Sequence, residues 1–186
     1  MKRQSIPNII TSIRFFLIVP IVITLLAKKY ELAFVFFAIA GLSDGLDGFL
    51  ARRYHWTSQF GAIVDPVADK LLMLATYACL TWLDKIPLWL FLIVIGRDLW
   101  LMLGVLAYRY FIATLTFKPS RISKINTCCQ LLLVIVILLD EVVLKLPAFF
   151  IETIIYIVLI TTVSSLVDYT WVWGKRAFES SRFRSL

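Results

Sequence analysis

Four aspartates, Asp44, Asp47, Asp65 and Asp69, stand in or at the edge of stretches otherwise apolar enough to cross a bilayer. They fall in the runs Asp44-Gly45-Leu46-Asp47-Gly48-Phe49-Leu50-Ala51-Arg52 and Gly61-Ala62-Ile63-Val64-Asp65-Pro66-Val67-Ala68-Asp69. At about 2.5 to 3.5 kcal/mol for each charge near the centre of a membrane helix, four carboxylates cost about 10 kcal/mol unless something neutralises them. A divalent cation does so directly. The donor set is all oxygen, which favours a hard ion, Mg²⁺ or Mn²⁺, over a softer metal. Such a site suits a membrane enzyme whose substrate carries phosphates. His55, the single histidine, and Cys79, Cys128 and Cys129 stand in contexts that suggest neither a zinc site nor a disulfide framework.

Helical spacing turns these acids into a constellation. Asp44, Asp47, Gly48 and Ala51 follow i, i+3, i+4, i+7 and share one helix face, and Gly61, Asp65 and Asp69 follow i, i+4, i+8 and share another. The connection from Arg52 to Phe60 is short, so the two helices are expected to be antiparallel neighbours with their carboxylates at similar depth, near one interface. Gly45, Gly48, Ala51, Gly61 and Ala68 either let two helix backbones approach or leave room for a bulky substrate group.

The elements that must position this site are membrane spans. The chain has 186 residues, 61% of them hydrophobic, and a mean hydropathy of +0.89, which points to one integral membrane domain over residues 1–186. Apolar windows run from Ile9 to Ala27, Leu32 to Leu50, Gly61 to Trp82, Pro87 to Ala107, Ile122 to Leu139 and Ala148 to Trp173. Each is about 20 residues long, the length that crosses a bilayer as a helix. The expected fold is therefore all-α, a polytopic bundle of six transmembrane helices, and the ten-residue alternation of a membrane barrel is absent. Pro7, Asn8, Thr11 and Arg14 suggest a short N-terminal interfacial helix. Arg14 and the lack of a cleavage pattern argue that the first span is retained.

With six spans, the side holding the N-terminus receives twelve Lys or Arg residues, among them Arg52, Arg53, Arg121 and Lys124, and the other receives four, Lys28, Lys29, Lys85 and Lys145. The positive-inside rule then places both termini and the aspartates on the cytoplasmic side, as in a multi-pass protein of a bacterial inner membrane. The net charge of +7 suits anionic membrane lipids. No nucleic-acid partner is expected. Cation- or proton-coupled transporters also carry intramembrane aspartates, but at the midplane and often in inverted repeats, whereas these acids lie towards one side and no repeat is visible.

The spacing Asp44-x-x-Asp47-Gly48-x-x-Ala51-Arg52, eight residues, then Gly61-x-x-x-Asp65-x-x-x-Asp69 resembles the signature of the CDP-alcohol phosphotransferase family, with every defining position filled. The resemblance implies a six-helix membrane enzyme, commonly a homodimer, in which an alcohol hydroxyl displaces CMP from a CDP-linked donor. It implies that Asp44, Asp47, Asp65 and Asp69 hold two metal ions and that Asp69 also serves as general base. Gly48, Ala51, Arg52 and Gly61 would border the CDP of the donor, CDP-diacylglycerol.

Arg14, Arg97, Arg121 and Lys124 are cationic groups able to hold a phosphate of the acceptor. Arg97 has an alternative, pairing with Asp98 or with an aspartate of the cluster. The segments Gly96-Arg97-Asp98 and Ser123-Lys124-Ile125-Asn126-Thr127 are similar to the cardiolipin-forming branch of the family, which implies phosphatidylglycerol as acceptor. Glycerol 3-phosphate is the alternative acceptor.

Overall fold

The computed structural model describes residues 6–54, 61–111 and 120–183, with side chains for 14–43, 45, 67–104 and 120–171. Every regular element among them is helical: α1 (Ile6–Leu26), α2 (Tyr30–Tyr54), α3 (Gly61–Trp82), α4 (Leu88–Phe111), α5 (Arg121–Leu139) and α6 (Ala148–Phe183), with a π-helical turn, Asp140–Leu144, continuing α5. His55 and Lys118 lie outside the described residues.

Each apolar window of the sequence became a helix, and the differences lie at the ends. Hydropathy marks only the greasy part of a helix, whereas backbone hydrogen bonding continues for as long as the residues tolerate it. Thus α2 runs on through Arg52 and Arg53 to Tyr54, and arginine is a good helix former. Arg52 therefore follows Gly48 by one helical turn instead of opening a loop. The last helix likewise extends ten residues past Trp173, to Phe183. Its 36 residues rise about 54 Å, well beyond a hydrocarbon core of about 30 Å. At the other end of the chain α1 is one continuous 21-residue helix, so the polar positions Asn8, Thr11 and Arg14 belong to its first turns and not to a separate short helix.

Two compact units share these elements. The first contains α1, α2, α3, the end of α5 and the π-helical turn, and within it α1 packs against both α2 and α3. Ile21 and Leu25 of α1 are buried, as are Phe37 of α2 and Leu72 and Leu80 of α3. Ala33, Ala40 and Ala68 are fully buried at zero exposure, small side chains that let helix backbones approach closely. Two of its connections close in the same way. Lys28 and Asp84 take left-handed φ angles of 56° and 57°, Lys29 N–H donates to the Thr24 carbonyl and Lys85 N–H to the Leu80 carbonyl. These six-to-one bonds are Schellman caps, which satisfy carbonyls left over at a helix end.

The second unit contains α4, the first part of α5 and α6, and here α4 packs on α6. Leu90 and Val94 of α4 and Ile154, Ile155 and Val158 of α6 are buried, but so are Arg97, Asn126, Gln130, Thr162 and Ser165. Meanwhile Trp100, Ile160 and Trp171 of this unit are exposed, as are Phe16 and Trp82 of the first. Polar groups buried among apolar ones, beneath an exterior rich in large apolar side chains, suit a lipid solvent. Among the described residues, two segments are long and apolar enough to cross a membrane, Arg121–Leu144 and Ala148–Trp171.

Candidate active site

Two helices carry the four aspartates: Asp44 and Asp47 near the end of α2, Asp65 and Asp69 in the first half of α3. A three-residue step on α2 and a four-residue step on α3 each bring a pair to one helix face. The side chains of Asp44, Asp47, Gly48, Ala51, Arg52, Gly61 and Asp65 lie outside the described residues. Among the described side chains no group of three metal-ligating residues occurs. Asp69 is the described member of the constellation.

Its partner comes from the first helix. Arg14 Nη1 donates to Asp69 Oδ1 at 2.5 Å, joining residues 55 apart in sequence. The pair is lopsided: the Arg14 side chain is 0% exposed and that of Asp69 is 45% exposed. Arg14 falls seven residues before Ile21 and eleven before Leu25, so the face that buries those apolar side chains also buries a guanidinium. The sequence suggested Arg14 as a phosphate ligand near the entrance; in the structure its bond is to an aspartate of the site.

The small residues divide between their two readings. Ala68 is packed away at zero exposure, as a helix contact requires. Gly45, by contrast, is exposed, and a Cβ built on it meets no atom within 4 Å. Close helix packing does not account for Gly45; open space beside the aspartate-bearing segment does.

In the second unit the cations take different environments. Arg97, 2% exposed, donates through Nη1 to Asp98 Oδ1 at 2.7 Å and through Nη2 to Ser123 Oγ and Ser165 Oγ, both at 2.6 Å. The alternative of an Arg97–Asp98 pair is thus what the structure contains. One guanidinium cross-ties α4, α5 and α6. One turn along α5, Asn126 Oδ1 accepts hydrogen bonds from Thr162 Oγ1 at 2.8 Å and Thr161 Oγ1 at 3.0 Å. Ser123 and Asn126 stand in a segment already marked in the sequence, whereas Ser165, Thr161 and Thr162 were not singled out, although the polar cluster Thr161-Thr162-Val163-Ser164-Ser165 inside an apolar run was the available signal. Arg121 and Lys124 are exposed in the first turn of α5. That turn is capped: Ser120 Oγ accepts from the Ser123 N–H at 3.2 Å, and Tyr169 Oη of α6 accepts from the Ser120 N–H at 3.1 Å.

Among the described residues, a helical fold with buried arginines and many exposed large apolar side chains points to a membrane protein. Residues 4–167 match the CDP-alcohol phosphatidyltransferase family. The chain is 33% identical over 191 residues to the Homo sapiens cardiolipin synthase (CMP-forming), covering 94% of this chain and 63% of that protein. It is 36% identical over 182 residues to a Schizosaccharomyces pombe cardiolipin synthase (CMP-forming) / mitochondrial hydrolase fusion protein, covering 89% of this chain and 30% of that one. A Pseudomonas fluorescens CDP-diacylglycerol--glycerol-3-phosphate 3-phosphatidyltransferase is 42% identical over 103 residues, 52% of each chain. The chain spans less than two thirds of the length of these two cardiolipin synthases. It belongs to the CDP-alcohol phosphatidyltransferase family.

Proposed function

We propose that this protein transfers the phosphatidyl group of CDP-diacylglycerol to the hydroxyl of phosphatidylglycerol, releasing CMP and forming cardiolipin. The observation that carries the reading is the segment 4–167 matched to the family, which contains all four aspartates, together with relatives named cardiolipin synthase (CMP-forming) along 89% and 94% of the chain. Glycerol 3-phosphate is the second candidate acceptor, favoured by the 42% identity to the Pseudomonas fluorescens enzyme.

Asp44, Asp47, Asp65 and Asp69 would hold two Mg²⁺ or Mn²⁺ ions, and an all-carboxylate donor set fits such hard cations. When bound, these ions neutralise the donor pyrophosphate and make its phosphorus electrophilic. The chain's own groups do the rest. The half-exposed Asp69 carboxylate accepts the proton of the acceptor hydroxyl. That oxygen bonds to the diacylglycerol-linked phosphorus, and the bond from this phosphorus to the oxygen bridging to CMP breaks, so no covalent enzyme intermediate is needed. Gly48, Ala51, Arg52 and Gly61 border the nucleotide, and open space at Gly45 is consistent with a bulky group there. Arg121 and Lys124, exposed cations, are assigned to the acceptor phosphate. Arg97 and Arg14, the other two cations suggested for that phosphate, are buried and bonded to Asp98 and Asp69. The protein is read as one domain, a homodimer of six-span subunits in a bacterial inner membrane, with both termini and the aspartates cytoplasmic.

The test uses purified protein in detergent with CDP-diacylglycerol and Mg²⁺ or Mn²⁺, offering phosphatidylglycerol and glycerol 3-phosphate in separate reactions. CMP release with cardiolipin as product supports the primary reading. Phosphatidylglycerophosphate instead selects the second acceptor. Ion flux without CMP release in reconstituted vesicles replaces the enzyme by a transporter.

A further inference from the structure

We propose that Arg14 is a positioning residue of the aspartate site, a buried cation that fixes the Asp69 carboxylate and limits how tightly the site takes up divalent metal. This rests on the reading of Asp69 as metal ligand and base. A guanidinium at 0% exposure has lost its water, and the carboxylate it meets at 2.5 Å restores what burial removes. Yet Asp69 keeps 45% of its side chain exposed. A pair that served only to hold helices together has no need of that asymmetry. One partner is sealed from solvent and the other is accessible, which is the geometry of a ligand held from behind.

Two consequences of opposite sign follow. Holding the carboxylate in one orientation favours turnover, because a base or ligand must be placed to within about 0.5 Å. A fixed positive charge on the same carboxylate opposes the arrival of another cation there. Loss of Arg14 therefore slows the reaction while tightening metal binding. Loss of a residue that merely supports the fold weakens both.

The experiment measures Mn²⁺ binding to the purified full chain by the electron paramagnetic resonance signal of free Mn²⁺. CMP release from CDP-diacylglycerol at saturating Mn²⁺ is followed in parallel. Arg14→Gln is expected to bind Mn²⁺ about tenfold tighter, the order expected for removing one like charge beside a partly solvated site, and to turn over about tenfold more slowly. Arg14→Lys keeps the charge but not the planar fork, so it should bind Mn²⁺ as the wild type does and still turn over more slowly. Unchanged or weaker Mn²⁺ binding in Arg14→Gln overturns the proposal, and so does wild-type turnover in either variant. If Arg14→Gln does not fold, Arg14→Lys decides alone: undiminished turnover or a large shift in Mn²⁺ affinity rejects the role. Asp44→Asn in the same titration separates the two readings. Intact Mn²⁺ binding in that variant means the metal assignment has failed, whereas lost binding alongside wild-type behaviour of the Arg14 variants means only the Arg14 role has.

Discussion

Asp69 is the residue on which sequence and geometry converge: the last carboxylate of the spaced set, half-exposed, and gripped by a buried arginine. Asp69→Asn keeps the shape and a hydrogen-bond acceptor for Arg14 but gives up the negative charge. We expect CMP release to fall about a hundredfold or more, the scale of a lost general base, while the protein still folds. Asp44→Asn should act differently, raising the Mn²⁺ concentration needed for half-maximal rate; activity at saturating metal near wild type in Asp69→Asn would count against its role as base. Gly45→Ala separates space from packing. With nothing within 4 Å of the added Cβ, the change should stabilise α2 by about 0.5 to 1 kcal/mol through helix propensity. A raised thermal midpoint together with a raised KM for CDP-diacylglycerol would place the donor in that space, and an unchanged KM would remove it from there.

At the scale of elements, the polar seam of α4, α5 and α6 replaces the oily contacts that such helices cannot use to recognise one another in lipid. Arg97 is the tie, and each serine bonded to it satisfies one of its protons. Ser165→Ala and Ser123→Ala leave the cation short of an acceptor and should each cost about 1.5 to 3 kcal/mol, read as a lower midpoint of thermal unfolding in detergent. A Ser165→Ala midpoint equal to wild type would show that the bond carries no stability. Ser123 and Asn126 also stand in the segment that resembles the cardiolipin-forming branch. Both are bonded within the seam, so any influence of that segment on the acceptor would pass through the placement of α5.

In the first unit the turn after α3 is tied to the π-helical turn by the Lys85 ammonium donating to Glu141. That bond, more than the opposing effect of burial, raises the Lys85 pKa above the ordinary lysine value of 10.5. A lysine whose folded pKa is raised contributes its full stability below the unfolded value and loses it as pH climbs through the folded one. Glu141→Gln should therefore be slightly less stable than wild type at neutral pH, by about 1 kcal/mol or less for so accessible a pair. The gap should close only in alkali above the usual lysine range. A difference that vanished already near pH 8 would have another origin.

For the molecule as a whole, the proposed function asks a charged interior to serve a reaction on a lipid substrate. Four carboxylates sharing one site would repel one another without a counter-ion, and a cation bound only by the folded state would stabilise it by mass action. EDTA is expected to stop CMP release and lower the thermal midpoint, and Mn²⁺ to restore both; full activity in EDTA would exclude a metal-dependent reaction. Composition, hydropathy windows and the aspartate spacing sufficed for the all-helical fold, the helix locations and the family, because these depend on local backbone chemistry and on residues close together along the chain. Helix ends were less legible, since α2 and α6 continue through charged residues that hydropathy reads as loops. The Arg97–Asp98 pair was legible as neighbours in the sequence, but which distant partner each buried cation meets was decided by tertiary structure. Arg14 reaches Asp69 across 55 residues and Arg97 reaches Ser165 across 68, and no local pattern encodes such meetings. They exist because a charge removed from water takes the nearest compensating group that helix packing presents.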